Sequence, residues 1–260
     1  MPEILTRREG AVTTLLFSNP ARMNAMSRDM WNQLAEGIRT ADADPSVRVI
    51  VLRGEGENSF VSGADISQFE SMRANADAQA EYEKAVNAGY GAPTQCSKPV
   101  IAAIRGICIG GGLGLAAACD VRICSDDTIF RMPAGRMGLG YSPSGVRRFV
   151  AMIGAANTAD LFLSARKFGA AEALRIGFVS QVHPVAQFDA AVQAYVQMVA
   201  ENAPLTLAAA KFSIREAIAD PDQRDPERAL AMVQACFNSS DYREGRTAFM
   251  EKRTPDFKGR

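Results

Sequence analysis

A run of glycines in the middle of the chain is the segment best placed to do chemistry. Gly110, Gly111 and Gly112 follow an apolar run at residues 99–105, which predicts a short buried strand, and precede a helix of small residues that ends near Cys119. A helix that begins after a strand and a glycine turn presents backbone N–H groups with no acceptor in front of them. Such groups suit an anion, or an oxygen that becomes negative during a reaction. The alternative is that the glycines only let the helix pack closely on the strand.

The second stretch with chemical potential is Phe-Val-Ser-Gly-Ala-Asp-Ile at residues 60–66. A short strand is predicted to run into Ser62 and Gly63, and Ala64 then begins a helical or irregular segment. Glycine permits a left-handed backbone there, and Asp65 is a suitable cap for the residues after it. We assign Asp65 and Asp120 to capping and packing rather than to catalysis.

A competing motif overlaps the glycine run. Residues 112–117 match the loose G-x-G-x-x-A dinucleotide fingerprint, so a nicotinamide-dependent oxidoreductase is one hypothesis. That fold requires the glycine turn directly after the strand, with an acidic residue about 20 positions later. Here residues 106–109 intervene, and the motif lies far from the start of the chain. We therefore interpret the match as accidental.

Composition restricts the class of protein. The 260 residues fit one large domain or two small ones, and 29 basic residues balance 29 acidic residues. This balance gives no electrostatic case for binding nucleic acid or an anionic membrane, and no apolar run reaches the ~18 residues of a membrane span. The first residues lack a signal-peptide pattern, and five cysteines without paired spacing predict free thiols and no metal site. We expect a cytoplasmic protein.

The predicted elements begin with βα units and end with helices. The predicted strands lie at residues 4–8, 12–18, 47–53, 60–62, 99–105, 120–124, 128–131 and 178–182. Besides the small-residue helix, the predicted helices lie at 28–40, 146–153, 155–163, 170–176, 186–202, 204–219, 226–237 and 240–251, with a loose helix or lid within 68–92. The loop at 132–145 is rich in Gly and Pro, and such loops often carry function.

In this order, the segments resemble the crotonase superfamily, which includes the enoyl-CoA hydratases and isomerases. The resemblance covers nearly the whole chain and depends on the order and spacing of several short pieces. These pieces are Asn-Pro at 19–20, Met-Asn-Ala at 23–25, the segment 60–66, Lys-Pro-Val-Ile-Ala-Ala at 98–103, the glycines of 106–112, Cys-Asp at 119–120, Ala-Ala-Glu-Ala at 170–173, Gly-Phe-Val at 177–179 and the tail at 243–253.

The resemblance implies an α/β (α+β) fold of the crotonase or ClpP-like type, a spiral of ββα units that forms two nearly perpendicular sheets. Residues 1–195 then form the core with the acyl-CoA site. Residues 196–260 form a helical region that covers the coenzyme A site and builds homotrimers, often paired into hexamers. The ligand is an acyl-CoA thioester, with no cofactor beyond its coenzyme A moiety and no nucleic-acid or membrane partner.

The resemblance also assigns roles to particular residues. The backbone N–H groups of Ala64 and Gly111 form an oxyanion hole that holds the thioester carbonyl as it becomes an enolate. The residues that match coenzyme A contacts are Arg22, Met23, Asn24, Ala64, Asp65, Ile66, Phe249 and Lys252, the last two often acting from a neighbouring subunit. Ser67 stands where the family often has a lysine, so one phosphate contact is in doubt.

The two glutamates of a typical hydratase are absent from this chain. Their positions are Gly114, two residues after the last of the three glycines, and Ala134, just after Pro133. Neither a hydrogen nor a methyl group accepts a proton or orients a water molecule. The residues therefore do not support hydration by the standard route.

Substitute side chains are present in the loop at 132–145. Tyr141 and Ser142 are candidate catalytic residues, because other members of the superfamily place alternative catalytic groups there. For Ser142 and Ser144 the alternative is a turn around Pro143. A serine nucleophile needs a base, and the one histidine, His183, lies outside every matched segment and is interpreted as structural.

Arg131 and Arg136 flank the position of the second missing glutamate and, with Ser144, are candidate substrate-binding residues. A guanidinium group that faces the site would bind a carboxylate on the acyl group. This hypothesis favours a dicarboxylic or β-oxo acyl-CoA and a decarboxylation or C–C cleavage. The alternative is that both arginines are exposed on the loop.

The residues and the resemblance together leave three candidate functions. The first is a hydratase- or isomerase-like lyase of fatty acid metabolism that stabilises a thioester enolate without the usual glutamates. The second is a decarboxylase or C–C lyase of the same superfamily. The third is a non-catalytic protein that binds acyl-CoA.

Overall fold

The strands of this protein divide between two sheets. The computed structural model describes residues 1–65 and 76–260, and these ranges contain ten strands and nine α-helices. The strands are β1 (Glu3–Glu9), β2 (Val12–Ser18), β3 (Val49–Gly54), β4 (Ser59–Val61), β5 (Val100–Ile104), β6 (Ile107–Ile109), β7 (Val121–Ser125), β8 (Ile129–Arg131), β9 (Lys167–Gly169) and β10 (Gln181–His183). The first sheet has the order β1-β2-β3-β5-β7-β10, and the second has the order β4-β6-β8-β9.

Consecutive strands enter alternate sheets, which produces a spiral. The pairs β3–β4, β5–β6 and β7–β8 each give their first strand to one sheet and their second strand to the other. Within each sheet these strands pair in parallel, and the hairpin β1–β2 and the pair β8–β9 are antiparallel. This is the predicted ββα spiral, and the two strands predicted at residues 4–8 and 12–18 are confirmed and pair as a hairpin.

Helices connect the layers and complete the chain. They are α1 (Arg28–Ala43), α2 (Ala76–Gln95), α3 (Gly111–Ala118), α4 (Pro143–Ser164), α5 (Ala170–Arg175), α6 (Val185–Ala200), α7 (Pro204–Ile218), α8 (Pro226–Asn238) and α9 (Ser240–Glu251). Ser27 caps α1, the helix that was predicted at residues 28–40, since its side chain accepts a hydrogen bond from the Met30 N–H at 3.1 Å. No helix in the described part of the chain is long and apolar enough to cross a membrane.

Both faces of the first sheet are buried, because successive side chains of each strand point to opposite faces and helices cover both. On β3, Ile50 and Leu52 point into the main core with α1 and α3, whereas Val49 and Val51 point to the opposite face. The helix α6 covers that opposite face with Phe188 and its neighbours. The central strands are therefore apolar throughout rather than alternating.

Three short strands differ from the sequence-based prediction. No strand was predicted at residues 106–109, but β6 (Ile107–Ile109) lies there and pairs with β4 and β8. Strand β9 was not predicted, and the last strand was expected at 178–182, whereas β10 pairs with β7 at Gln181–His183. Three-residue strands are too short to show a periodic pattern. Phe178, which was counted in the predicted last strand, is instead a buried residue of the main core. The predicted break at Gly154 is confirmed as a non-helical residue inside α4.

Helix α2 packs on α1 through a glycine that a side chain would disrupt. A Cβ atom at Gly89 would lie 2.4 Å from Trp31 Cε3, whereas one at Gly91 would make an ordinary contact with Gln95 Nε2 at 3.4 Å. We expect Gly89→Ala to lower the free energy of unfolding by about 1–3 kcal/mol through overpacking. Gly91→Ala in the same helix should raise it by up to about 1 kcal/mol, because alanine favours helix. Urea unfolding of both variants checks this, and equal changes in the two would contradict it.

Candidate active site

A cavity of about 790 Å³ opens where the start of α3 meets the end of β4. Its walls come from residues 62–64, from α2, and from the loop and first turn of α4 at 132–149. Both predicted donor residues, Ala64 and Gly111, line it, as do Gly114 and Ala134, the two positions at which the resemblance leads one to expect glutamates. The cavity therefore brings together the two sequence stretches that were selected for chemistry.

The two donor segments are in direct contact. A Cβ atom on Gly111 would lie 3.8 Å from the carbonyl carbon of Gly63, the residue that precedes Ala64. Gly63 has φ = +121°, a backbone conformation that favours glycine. This turn places the Ala64 N–H beside the first residue of α3.

The neighbouring backbone groups are already paired, while the two donors are not. The Asp65 N–H donates to the Met26 carbonyl at 2.9 Å, and the Gly110 N–H donates to the Arg131 carbonyl at 2.9 Å. Within residues 1–65 and 76–260, the N–H groups of Ala64 and Gly111 donate to no protein acceptor. Gly111 is also the first residue of α3, where the helix dipole adds a partial positive charge. Both N–H groups are therefore free to bind an oxygen of a ligand.

The glycine run also serves the packing role that was the alternative interpretation. A Cβ atom on Gly112 would lie 2.3 Å from the Val61 carbonyl oxygen and 2.7 Å from Val61 Cβ, so a side chain at this position is excluded. A Cβ atom on Gly111 would meet nothing closer than Trp31 Cζ2 at 3.4 Å. Gly112 is thus required for packing, and Gly111 faces the cavity.

Two tyrosine hydroxyl groups occupy the space beside Gly114. A Cβ atom on Gly114 would lie 2.3 Å from Tyr141 Oη and 3.0 Å from Tyr90 Oη. Tyr90 Oη also donates a hydrogen bond to the Gly111 carbonyl at 3.2 Å. Tyr141 was a predicted site residue, whereas sequence reasoning missed Tyr90, which gave no signal because its helix had weak periodicity.

Among the described residues, the charged side chains that line this cavity are Arg148 and Glu83. In the part of the chain that the structure describes, Glu83 is the one carboxylate in the lining, and it is exposed and accepts a hydrogen bond from Gln79 at 2.9 Å. Arg148 was also missed by sequence reasoning. Burial lowers the pKa of its guanidinium group, and the described residues give it no ion pair with a carboxylate. Its neighbour Arg147 forms an ion pair with Asp220 instead.

The phenols are protonated at neutral pH. Burial raises the pKa of Tyr90 well above its ordinary value, and burial also raises the pKa of Tyr141. For Tyr141 this effect is opposed by the neighbouring Tyr90 hydroxyl and by the positive charge of Arg148. Arg148 also opposes it for Tyr90, whereas the neighbouring phenol favours the anion of Tyr141 only.

The other residues proposed for the acyl end of the site lie elsewhere or have a structural partner. Ser142 and Ser144 are at the cavity, but Ser142 Oγ accepts a hydrogen bond from the Gly145 N–H at 3.2 Å and caps α4. Arg131 Nε donates to the Ala165 carbonyl at 2.8 Å, and Arg136 is exposed. Neither arginine lines the cavity, so the guanidinium group facing it is that of Arg148.

His183 lies at the end of β10, as a structural interpretation requires. Its Nε2 is 2.9 Å from Gln181 Oε1, and it does not line the cavity. Asp120 accepts hydrogen bonds from the Val100 N–H and from Lys211 Nζ, both at 2.7 Å. These contacts agree with the packing role that we assigned to Asp120.

The predicted coenzyme A contacts fall into two groups. In the first, Arg22 forms an ion pair with the buried Asp65 at 2.8 Å, and the Asn24 amide donates to the Ser59 carbonyl at 2.8 Å. Met23 is partly exposed in the same loop. In the second group, Phe249 is 82% exposed and lines a separate cavity of about 900 Å³ between α7, α8 and α9, while Lys252 caps α9. Ile66, like Ser67, lies outside the described residues.

The alternating two-sheet spiral, with a helix N-terminus at the cavity, defines a crotonase-type fold. The family model for enoyl-CoA hydratase/isomerase matches residues 7–260. The chain belongs to this enoyl-CoA hydratase/isomerase family, within the crotonase superfamily.

Individual relatives cover almost the whole chain. A short-chain-enoyl-CoA hydratase of Clostridium acetobutylicum is 31% identical and covers 96% of this chain and 95% of its own length. A peroxisomal Delta(3,5)-Delta(2,4)-dienoyl-CoA isomerase of Arabidopsis thaliana is 30% identical, with 96% and 93% covered. The crystal structure of an enoyl-CoA hydratase/carnithine racemase from Magnetospirillum magneticum superposes with a TM-score of 0.94 at 35% identity, covering 100% of this chain and 97% of that one.

The contact between Gly114 and Tyr141 predicts that substitutions at these two positions affect the free energy of unfolding non-additively. Gly114→Ala places a methyl group where Tyr141 Oη now lies, so we expect a loss of about 1–3 kcal/mol in the free energy of unfolding. In a Tyr141→Phe background, which lacks that oxygen, the same substitution should cost clearly less. Denaturant unfolding of the four proteins in this double-mutant cycle gives the coupling energy. The same cost in both backgrounds would show that the hydroxyl does not occupy this space.

Proposed function

We propose that this protein binds an acyl-CoA thioester and stabilises its enolate with the backbone N–H groups of Ala64 and Gly111. The observation that supports this proposal most directly is that both donors are unpaired, adjacent and at the wall of one cavity. An enolate oxygen carries more negative charge than the thioester carbonyl from which it forms, so fixed donors stabilise it more. Removal of one such donor typically costs about 2.7–4 kcal/mol of transition-state stabilisation.

The reaction does not depend on the usual pair of glutamates. Gly114 carries no side chain, Ala134 contributes a methyl group to the cavity, and Glu83 is exposed at its wall. Several relatives are named as hydratases or isomerases, whereas this chain carries no carboxylate at residues 114 and 134. Enolate formation is thus the part of the chemistry that the described residues support.

Decarboxylation or C–C cleavage of a carboxylated or β-oxo acyl-CoA is the second candidate, and Arg148 favours it. Its guanidinium group lines the cavity and forms no carboxylate ion pair among the described residues. A half-buried cation without such a partner favours an anionic or acceptor-bearing acyl group. In such reactions the breaking C–C bond supplies the electron pair of the enolate, so no base is needed to remove a Cα proton.

The reaction class can be read directly by mass spectrometry. Crotonyl-CoA, acetoacetyl-CoA and methylmalonyl-CoA are incubated with the protein in heavy water. Loss of carbon dioxide or acetate, or deuterium at C2, supports the enolate proposal, whereas addition of water across crotonyl-CoA identifies a hydratase with a substitute base. Binding of all three esters without any mass change would identify a non-catalytic acyl-CoA-binding protein and contradict the proposal.

The role of the Gly111 N–H can be isolated with two substitutions at one position. Gly111→Pro removes the N–H at the first helical residue, where proline is tolerated, and Gly111→Ala keeps it. A Cβ atom there makes ordinary contacts of 3.4 Å or more. We expect kcat/KM to fall by about 100-fold or more for Gly111→Pro, since one oxyanion donor is lost. Gly111→Ala should stay within about tenfold of the unmodified protein, and equal losses would contradict donation by this N–H.

The coenzyme A moiety is proposed to run past the Arg22–Asn24 loop, with Phe249 and Lys252 supplied by a neighbouring copy of the chain. The C-terminal helices support such an assembly because they expose large apolar side chains. The exposed apolar residues of this surface are Ile214, Ile218, Leu230, Val233, Phe237, Phe249 and Met250. A surface of this kind marks a protein–protein contact.

If the chain assembles through this surface, a charged substitution on it should lower the mass of the assembly. Leu230 on α8 is 71% exposed in the single chain. We expect Leu230→Asp to convert a trimer, or a hexamer built from trimers, into smaller species, because a buried unpaired carboxylate costs several kcal/mol. Leu174→Asp, on α5 and 46% exposed, is the matched control and should leave the mass unchanged. Sedimentation velocity of the three proteins decides, and a monomeric starting protein would contradict the proposal.

A further inference from the structure

We propose that Tyr141 is the proton donor of this site and delivers its phenolic proton to Cα of the enolate held by Ala64 and Gly111. This inference rests on the proposed function, because it requires an enolate at those two donors. In this proposal, a phenol carries out the proton transfer that glutamates perform in a typical hydratase.

Tyr141 Oη lies where a side chain at residue 114 would begin. A Cβ atom on Gly114 would be 2.3 Å from this oxygen, so the hydroxyl stands directly over α3, one turn beyond Gly111. The absence of a side chain at Gly114 is what allows the phenol to reach this point. Tyr141 and both oxyanion donors line the same cavity.

The ring of Tyr141 is held rigidly. It packs edge-to-face on Phe162, with ring centroids 5.2 Å apart, and on Phe149 at 6.4 Å. Gly145 makes room for the ring, since a Cβ atom there would lie 2.6 Å from Tyr141 Cε1. A phenol fixed in this way delivers its proton from one direction, which is a requirement for efficient transfer.

Tyr90 is a positioning residue for this proton. Its hydroxyl donates to the Gly111 carbonyl at 3.2 Å, and it lies beside Gly114 as the Tyr141 hydroxyl does, since a Cβ atom on Gly114 would be 3.0 Å from Tyr90 Oη. While Tyr141 is protonated, it can donate to Tyr90 Oη. Once Tyr141 has lost its proton, the Tyr90 hydroxyl can turn and donate to the phenolate instead, as a phenol is both donor and acceptor.

Arg148 provides the second source of stabilisation for the phenolate. Its positive charge opposes the effect of burial on the pKa of Tyr141. The other titratable groups of the cavity wall are Tyr82 and Glu83 on α2, and Cys119 at the end of α3 interacts electrostatically with Arg148. Because burial raises the pKa of Tyr141, the phenol is protonated at neutral pH and acts as an acid rather than as a base.

The step balances without a further reactant. The π electron pair of the enolate forms a new Cα–H bond to the phenolic hydrogen, and the thioester carbonyl is restored. The Tyr141 O–H bond breaks and leaves its electron pair on the phenolate oxygen. Water then returns a proton to the phenolate, so the protein is unchanged after one turnover.

The experiment uses two esters that yield the same enolate. Decarboxylation of methylmalonyl-CoA and cleavage of 2-methylacetoacetyl-CoA by water both give the enolate of propionyl-CoA, which takes deuterium at C2 in heavy water. For the unmodified protein we expect deuterium in one configuration. Tyr141→Phe should lower kcat by about 100-fold or more, as expected for loss of a general acid, and leave deuterium in both configurations. The KM should change little, because the oxyanion donors remain.

Tyr195→Phe removes a hydroxyl from α6, outside the cavity, and is the matched control that should retain both rate and configuration. Tyr90→Phe and Arg148→Met should each raise the pKa of Tyr141. The activity lost as the phenol ionises at high pH should then be lost at a higher pH than in the unmodified protein. This shift distinguishes positioning of the proton from a merely structural role.

The outcomes separate the two proposals. If Tyr141→Phe retains the rate and the single configuration, Tyr141 is not the donor, while the enolate proposal stands. If the unmodified protein gives propionyl-CoA from neither ester, no such enolate is formed, and this inference fails together with the proposed function. If Gly111→Pro abolishes turnover and Tyr141→Phe loses the single configuration, both are supported.

Discussion

The close approach of α3 to β4 is the contact on which the site depends. Gly112 lies so near the Val61 carbonyl that no Cβ atom fits between them, and this brings the first turn of the helix against the end of the strand. The chain leaving that strand turns at Gly63 and is held by two hydrogen bonds to Met26, through the Gly63 carbonyl and the Asp65 N–H. Between those two bonds, the Ala64 N–H, beside the Gly111 N–H, has no partner among the residues that the structure describes. Close packing and anion binding are therefore two results of one geometry.

The polar side chains of the same cavity are mainly proton donors, which suits the proposed enolate chemistry. Its inner wall carries the phenols of Tyr90 and Tyr141 and the guanidinium group of Arg148, and its one carboxylate among the described residues, Glu83, is exposed. A carboxylate pair would make this region a proton acceptor at neutral pH, whereas buried phenols beside a cation make it a proton donor. A plain alkyl chain would leave the hydrogen-bond donors of these side chains unpaired. They therefore favour, in the proposed function, an acyl group that carries oxygen acceptors.

The sequence predicted most of the fold because the long elements carry clear periods and caps. The hairpin, α1 with its Ser27 cap, and the C-terminal helices all follow from local patterns. The short strands β6 and β9 did not, since three residues cannot show alternation. Arg131 and Arg136 were named because they flank Ala134 in sequence, but Arg131 ends β8 and bonds to the Ala165 carbonyl, and Arg136 is exposed in a 3₁₀ turn, so neither lines the cavity. Tyr90 and Arg148 reach the cavity from two helices whose facing sides only tertiary packing determines.

This division between backbone and side chain explains how the scaffold can hold a different chemistry. The proposed oxyanion donors are peptide N–H groups whose positions follow from Gly63, Gly112 and the parallel pairing of β4 with β6, so they do not depend on any side chain in the cavity. In the proposed function, proton transfer depends instead on side chains at the facing positions Gly114, Ala134 and Tyr141, which can change without moving that backbone. In this proposal the fold stabilises the enolate, and a few side chains decide which atom gives or takes the proton. In this chain the phenol of Tyr141 occupies the space that a side chain at residue 114 would need.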